Sequence, residues 1–159
     1  MASTSFLSIV RTSFFVAACA AVAACGSSSA APAPAPASAK LSDIRVNIFS
    51  GADGSHGSCA LSTSCHQGSS VGGIDLTGSR KSADLIADLK KPAKMNAGQG
   101  PLAVPGNPDM SFLIHKLNAD LPCFKDGSCG GPMPLTGPKI PAADIQAIHD
   151  WIAGGMQDN

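Results

Sequence analysis

The chain has 159 residues, with 11 lysines and arginines against 11 acidic residues, all of them aspartate. With charge balanced and no basic stripe beyond Lys90, Lys91 and Lys94, nucleic acid is not expected as a partner. Only 4% of the residues are aromatic, so a domain of this length is short of core volume and must be marginal, stapled, or built around an apolar group the sequence does not encode.

Residues 1–24 carry one charge, Arg11, followed by the apolar run Phe14-Phe15-Val16-Ala17-Ala18. That apolar core is short and ends in alanines, which fits a secretory signal rather than a membrane-spanning helix. It closes at Val22-Ala23-Ala24-Cys25-Gly26, similar to a bacterial lipobox. The similarity implies that Cys25 is lipidated and anchors an exported chain to the inner or outer membrane, facing the periplasm or the cell surface. An ordinary export signal that contains cysteines fits the same residues. Residues 25–40 are a Ser/Ala/Pro-rich tether, whose Ala-Pro alternation favours an extended spacer. Residues 41–159 remain as one domain.

Within that domain, Leu41–Phe49 predicts a short helix, with Ser42 as N-cap and Leu41, Ile44, Ile48 and Phe49 on one side. After a glycine-containing break comes Ser58-Cys59-Ala60-Leu61-Ser62-Thr63-Ser64-Cys65-His66-Gln67-Gly68. Gly72–Leu76 predicts an extended linker that turns Ile74 and Leu76 inward. Ser82–Lys90 predicts a helix through Leu85, Ile86 and Leu89, stopped by Pro92, and 95–105 predicts a loop. Asn107-Pro108-Asp109 has the order of a helix start: an N-cap, proline at the first helical position, then an acid. Phe112, Leu113 and Leu117 would form the buried face of that helix, with Met110 packed in its first turn. Residues 121–139 predict a loop, and a last helix runs from about Pro141 to Ala153 on Ile145, Ile148 and Ile152, with Gly154-Gly155 as its stop. No segment alternates for long enough to predict a sheet.

The chemistry concentrates in the cysteines. A histidine directly after the second of two cysteines is the arrangement that attaches c-type haem: the thiols add across the porphyrin vinyl groups and the imidazole ligates the iron. The common spacing places two residues between the cysteines, whereas five separate Cys59 from Cys65. The same residues also fit a Cys59–Cys65 disulfide or part of a zinc site. In Gly130-Gly131-Pro132-Met133-Pro134, glycines allow close backbone approach and prolines fix the direction of Met133, as a thioether ligand of haem iron requires. A methionine filling a core gap fits that loop as well. Cys123 and Cys129 flank a glycine-containing turn and are expected to pair in an oxidising compartment. A zinc site on Cys59, Cys65, Cys123 and Cys129 is the rival, although neither pair has zinc-knuckle spacing. His56 fits a solvated side chain, a distal ligand or a haem propionate partner, and His115 and His149 fit surface or capping roles. Met95 and Met156 are reserve thioethers.

Taken in order, the short helix, Cys65-His66, the Gly73–Leu76 segment, the Val104–Leu113 helix start, Met133-Pro134 and the Ala143–Gly154 helix resemble class I cytochrome c. In detail they are similar to a variant group of exported bacterial cytochrome-c-like domains with a widened cysteine pair. The resemblance covers nearly all of residues 41–155. It implies a mainly α, cytochrome c-like domain around one haem c, with His66 as proximal ligand, Met133 as distal ligand, and Cys65 and Cys59 as thioether donors. The function implied is electron transfer in the cell envelope, without enzymatic activity, to a redox partner protein. A non-haem, disulfide-stapled envelope lipoprotein acting as a binding module is the alternative.

Overall fold

Leu41, Ile44, Ile48 and Phe49 recur at helical spacing, and in the computed structural model of the chain each is 4% exposed or less. The structure describes residues 39–51, 59–60, 65–68, 73–94 and 97–159. The export signal, Cys25, nearly all of the tether, His56 and Met95 lie outside the described residues.

The first helix begins as α1 (Leu41–Asp43) and continues without a break as a π-helical segment, Ile44–Phe49. Ser42 does not cap it, because it already lies inside the first turn. The cap comes from the far end of the chain. Asn159 accepts from the Leu41 amide through Oδ1 at 2.9 Å and from the Ser42 amide through its carbonyl at 3.3 Å. Two of the donors that a helix start leaves unpaired are thereby satisfied. Arg45 reaches from the π-helical segment to Ser82 Oγ at 2.8 Å, to the Gly78 carbonyl at 2.6 Å and to the Arg80 carbonyl. Its guanidinium thus pins the turn that leads into the next helix.

Helix α2 (Ser82–Leu89) follows the expected spacing, burying Leu85 and Leu89 and ending ahead of Pro92. The segment expected as plain loop carries a 3₁₀ turn, Ala97–Gln99, and a single bridge between Pro92 and Pro101. At residues 107–118 the structure departs from expectation. Asn107 does cap, its Oδ1 accepting from the Met110 amide at 3.3 Å, but only a 3₁₀ turn (Pro108–Met110) follows. Ser111 is extended and fully buried; its Oγ donates to the Asn107 carbonyl and accepts from the Val104 amide, both at 2.9 Å. A side chain bonded to backbone on both sides competes with helix continuation, so α3 starts afresh at Phe112 and runs to Asn118. Met110, expected to pack, is 64% exposed because it sits on the separated turn. The buried face of α3 is Phe112 and Ile114, with Leu113 and Leu117 half-buried.

Helix α4 (Ala142–Ala153) buries Ile148, Trp151 and Ile152, and the chain after it folds back so that Trp151 Nε1 donates to the Gln157 carbonyl at 2.9 Å. The main core joins the first helix, α2, Ile114, Ile140 and α4; Met156, a reserve thioether ligand by sequence, is buried in it. A smaller cluster holds Ala93, Phe112 and Cys129, and Leu102 packs against both. Phe49, Phe112 and Trp151 are each about 1% exposed, so three of the four aromatics beyond the tether go wholly into packing. Among the described residues the architecture is mainly helical with no strand, and no helix is long and apolar enough to cross a membrane.

Candidate functional site

The widened cysteine pair is folded back on itself by backbone hydrogen bonds. The carbonyl of Phe49, last residue of the π-helical segment, accepts from the amides of Cys59 and Ala60 at 3.1 and 3.0 Å. The carbonyl of Cys59 then accepts from the His66 amide at 3.0 Å. Five intervening residues therefore do not separate the two ends of the motif, because His66 closes directly onto Cys59. His66 is held a second time where its carbonyl accepts from the Leu76 amide at 2.9 Å, and its ring Nδ1 lies 3.4 Å from the Ile74 carbonyl oxygen.

Asp75 fastens the same region. Burial pushes its carboxyl up, but hydrogen bonds from Thr77 and the Gly68 amide outweigh that and hold it below the usual carboxylate range. Gly68 ends the described part of the cysteine loop, so Asp75 ties that loop to the Ile74–Leu76 segment. Both Ile74 and Leu76 are buried, as the extended reading expects.

Cys59 is half-buried and packs against the main core. Burial, with Cys65 nearby, pushes its thiol up to about 12, so at neutral pH it is protonated. Cys65 is half-buried as well. Cys123 and Cys129 are joined in a disulfide with a Cα–Cα distance of 5.2 Å. That bond excludes the four-cysteine zinc site, which needs all four as thiolates. Among the described residues no cluster of three or more His, Cys, Asp or Glu side chains is arranged to hold a metal ion.

Met133 is half-buried, and its amide donates to the carbonyl of Lys116 on α3 at 2.9 Å. Two residues before it, a Cβ at Gly131 would sit 2.6 Å from Leu135 Cδ1, the tip of an exposed side chain that would have to move aside. The two halves of the candidate site are thus anchored separately: His66 on the Ile74–Leu76 segment and Met133 on α3. Leu102 lines a cleft of about 240 Å³ together with Gly73, Ile74, Asp88, Lys91, Pro92 and Lys94, and its carbonyl accepts from the Leu113 amide of α3 at 2.8 Å.

His115, expected as a surface or capping residue, brackets its helix, with Nδ1 2.8 Å from Asp120 Oδ1 and Nε2 2.9 Å from the Asp109 carbonyl. His149 lies 3.2 Å from Asp150 Oδ1 on α4. The Ile74 carbonyl, Asp75 and Lys116 were not singled out by sequence as site residues. Only the glycine-flanked Ile-Asp-Leu string pointed towards the first two, and nothing pointed to Lys116. Set against protein-family models, characterised proteins and solved structures, the chain matches none of them.

Proposed function

We propose that this chain carries single electrons in the bacterial cell envelope as a cytochrome c-like domain, with one haem c bound covalently through Cys65 and Cys59. The observation that carries the reading is the setting of His66. A metal-ligating histidine characteristically directs its second ring nitrogen at a backbone carbonyl, which fixes tautomer and ring orientation. A carbonyl oxygen can only accept, so a hydrogen bond across the 3.4 Å from Nδ1 to the Ile74 carbonyl requires the proton on Nδ1; in that tautomer Nε2 carries the lone pair and would serve as proximal ligand.

The other residues suit the same group by their chemistry. His66 closes onto the Cys59 carbonyl, bringing the displaced cysteine back towards the Cys-His pair. Ala60, Ile74 and Leu76 are buried next to it and would keep water from the ring. Met133 would be the distal ligand, its soft thioether favouring the reduced iron. When bound, the haem supplies an iron that cycles between Fe(II) and Fe(III). The cleft beside Ile74, about 240 Å³, is below the range usual for small-molecule sites and is lined by none of Cys59, Cys65, His66 and Met133, so it is not itself the porphyrin's seat. The lipidated Cys25 and the Ala-Pro tether would hold the domain off a membrane, within reach of a redox partner protein.

The closed packing around Phe49, Phe112 and Trp151, with its disulfide, favours a second reading: a haem-free envelope lipoprotein acting as a binding module. A pyridine haemochrome spectrum of the chain, purified from a host that attaches c-type haem, separates the two. A haemochrome is expected, and its band position counts the thioether bonds; a colourless protein would rule out the electron carrier.

A further inference from the structure

One residue of α3 holds both ends of the segment that presents Met133. Lys116 Nζ donates to the Cys129 carbonyl at 3.1 Å, and the Lys116 carbonyl accepts from the Met133 amide at 2.9 Å. The same ammonium lies 5.4 Å from the centre of the Phe112 ring and 5.6 Å from that of Phe124. These two rings stack with centroids 6.1 Å apart. Both lysine distances fall within the roughly 6 Å over which a cation is attracted to a ring face. Burial holds the lysine below its ordinary range, as expected of a cation drawn partly out of water.

The segment so held has little stiffness of its own at its start. Gly130 takes φ +69° and is followed by Gly131, and glycine is the residue that most readily leaves one backbone conformation for another. The disulfide fixes Cys129 but reaches only the first residue of the segment. The Gly130 amide donates to the Gly127 carbonyl at 3.0 Å, which steadies the start of the segment, and Lys116 holds a residue at each of its ends, Cys129 and Met133.

We propose that Lys116 is the positioning residue of the Met133 loop: its ammonium on Cys129 and its own carbonyl on Met133 together set the direction in which the thioether is presented. The placement stands on the polypeptide alone. Its consequence for a reduction potential rests on the reading of Met133 as distal ligand.

The test compares Lys116→Met, which keeps the aliphatic stem over the rings and removes the charge, with Lys116→Arg, which keeps a cationic donor able to stack on the same rings. Amide hydrogen exchange is followed residue by residue in the purified full chain. Lys116→Met removes the charge-assisted bond to the Cys129 carbonyl and leaves the Met133 amide its backbone acceptor, so the loosened segment should exchange faster at the Met133 amide, by about tenfold or more, with amides of α4 unchanged and Lys116→Arg restoring protection. Wild-type exchange at Met133 in Lys116→Met overturns the proposal. So does a uniform acceleration through α3 and α4, which would make Lys116 a general stabiliser. In haem-loaded protein, Lys116→Met should also lower the reduction potential, and Lys116→Arg should return it towards wild type. Absence of haem defeats the electron-carrier reading but leaves the exchange result to decide on Lys116. An unchanged Met133 amide in a haem-loaded protein defeats Lys116 and leaves the carrier standing.

Discussion

His66 Nδ1 lies 3.4 Å from the carbonyl oxygen of Ile74, joining the imidazole of the Cys-His motif to the segment that leads into α2. The contact depends on backbone direction at Ile74, and therefore on its neighbour. Gly73 takes φ +73°, and a Cβ there would lie 2.7 Å from Lys94 Cδ. The lysine tail can move aside, but the left-handed backbone cannot be relieved in that way. Gly73→Ala should destabilise the domain by about 1 kcal/mol and loosen His66. Urea denaturation measures the first effect, and the ¹⁵N shifts of the His66 ring, which report its tautomer, measure the second.

Replacing His66 with Ala should abolish haem incorporation, as read from the haemochrome absorbance per chain. A fully loaded variant would remove His66 from the proximal role.

Met133→Ala should retain haem and lower the reduction potential, because a thioether stabilises the reduced iron and water in its place does not. A redox titration checks this. An unchanged potential would transfer the distal role to another residue.

Cys59 links pH to its covalent state. In the folded domain its thiol keeps its proton up to about pH 12, whereas in the unfolded chain a cysteine ionises near pH 8.5. The unfolded state thus gives up its proton first, and Cys59 makes stability fall as pH rises from about 8.5 towards 12. Below pH 8 its contribution is complete. A thioether sulfur cannot ionise, so protein attached through both cysteines should lack this alkaline slope, and protein attached through Cys65 alone should keep it. Denaturation between pH 7 and 10, with Cys59→Ala as reference, distinguishes the two. A haem-free wild type with the same slope as Cys59→Ala would show that folding does not raise the Cys59 thiol.

Removing the Cys123–Cys129 bond by a double alanine substitution should cost about 2 kcal/mol, the loop-closure value for so short a ring. The loss should match that from reducing the wild type with dithiothreitol. A double variant with an unshifted denaturation midpoint would mean that the bond does not constrain the unfolded chain.

Some of this was legible in the residues because the relevant forces act over a few positions. Leu85 and Leu89 share a helix face whatever the rest of the chain does, and Pro92 cannot continue a helix. Ile148 and Ile152 mark the buried side of α4, and Gly154 follows at its end. Asn107 was readable as a cap for the same reason, since its acceptor and the Met110 amide are three residues apart. Ser111 was not. A serine inside an apolar run normally costs a helix little, and only its burial between Val104 and Asn107 makes it break the chain's course.

By itself the sequence determined where the first helix, α2 and α4 lie, and where cysteine, histidine and methionine fall. Tertiary structure alone decided that Asn159 caps a helix 118 residues away, that His66 closes onto Cys59 and faces Ile74, and that Lys116 grips both ends of the Met133 loop. The division has one physical cause. Helix periodicity and proline geometry are properties of neighbours along the chain, whereas a cap, an oriented imidazole or a seated ammonium needs a partner that only packing brings near.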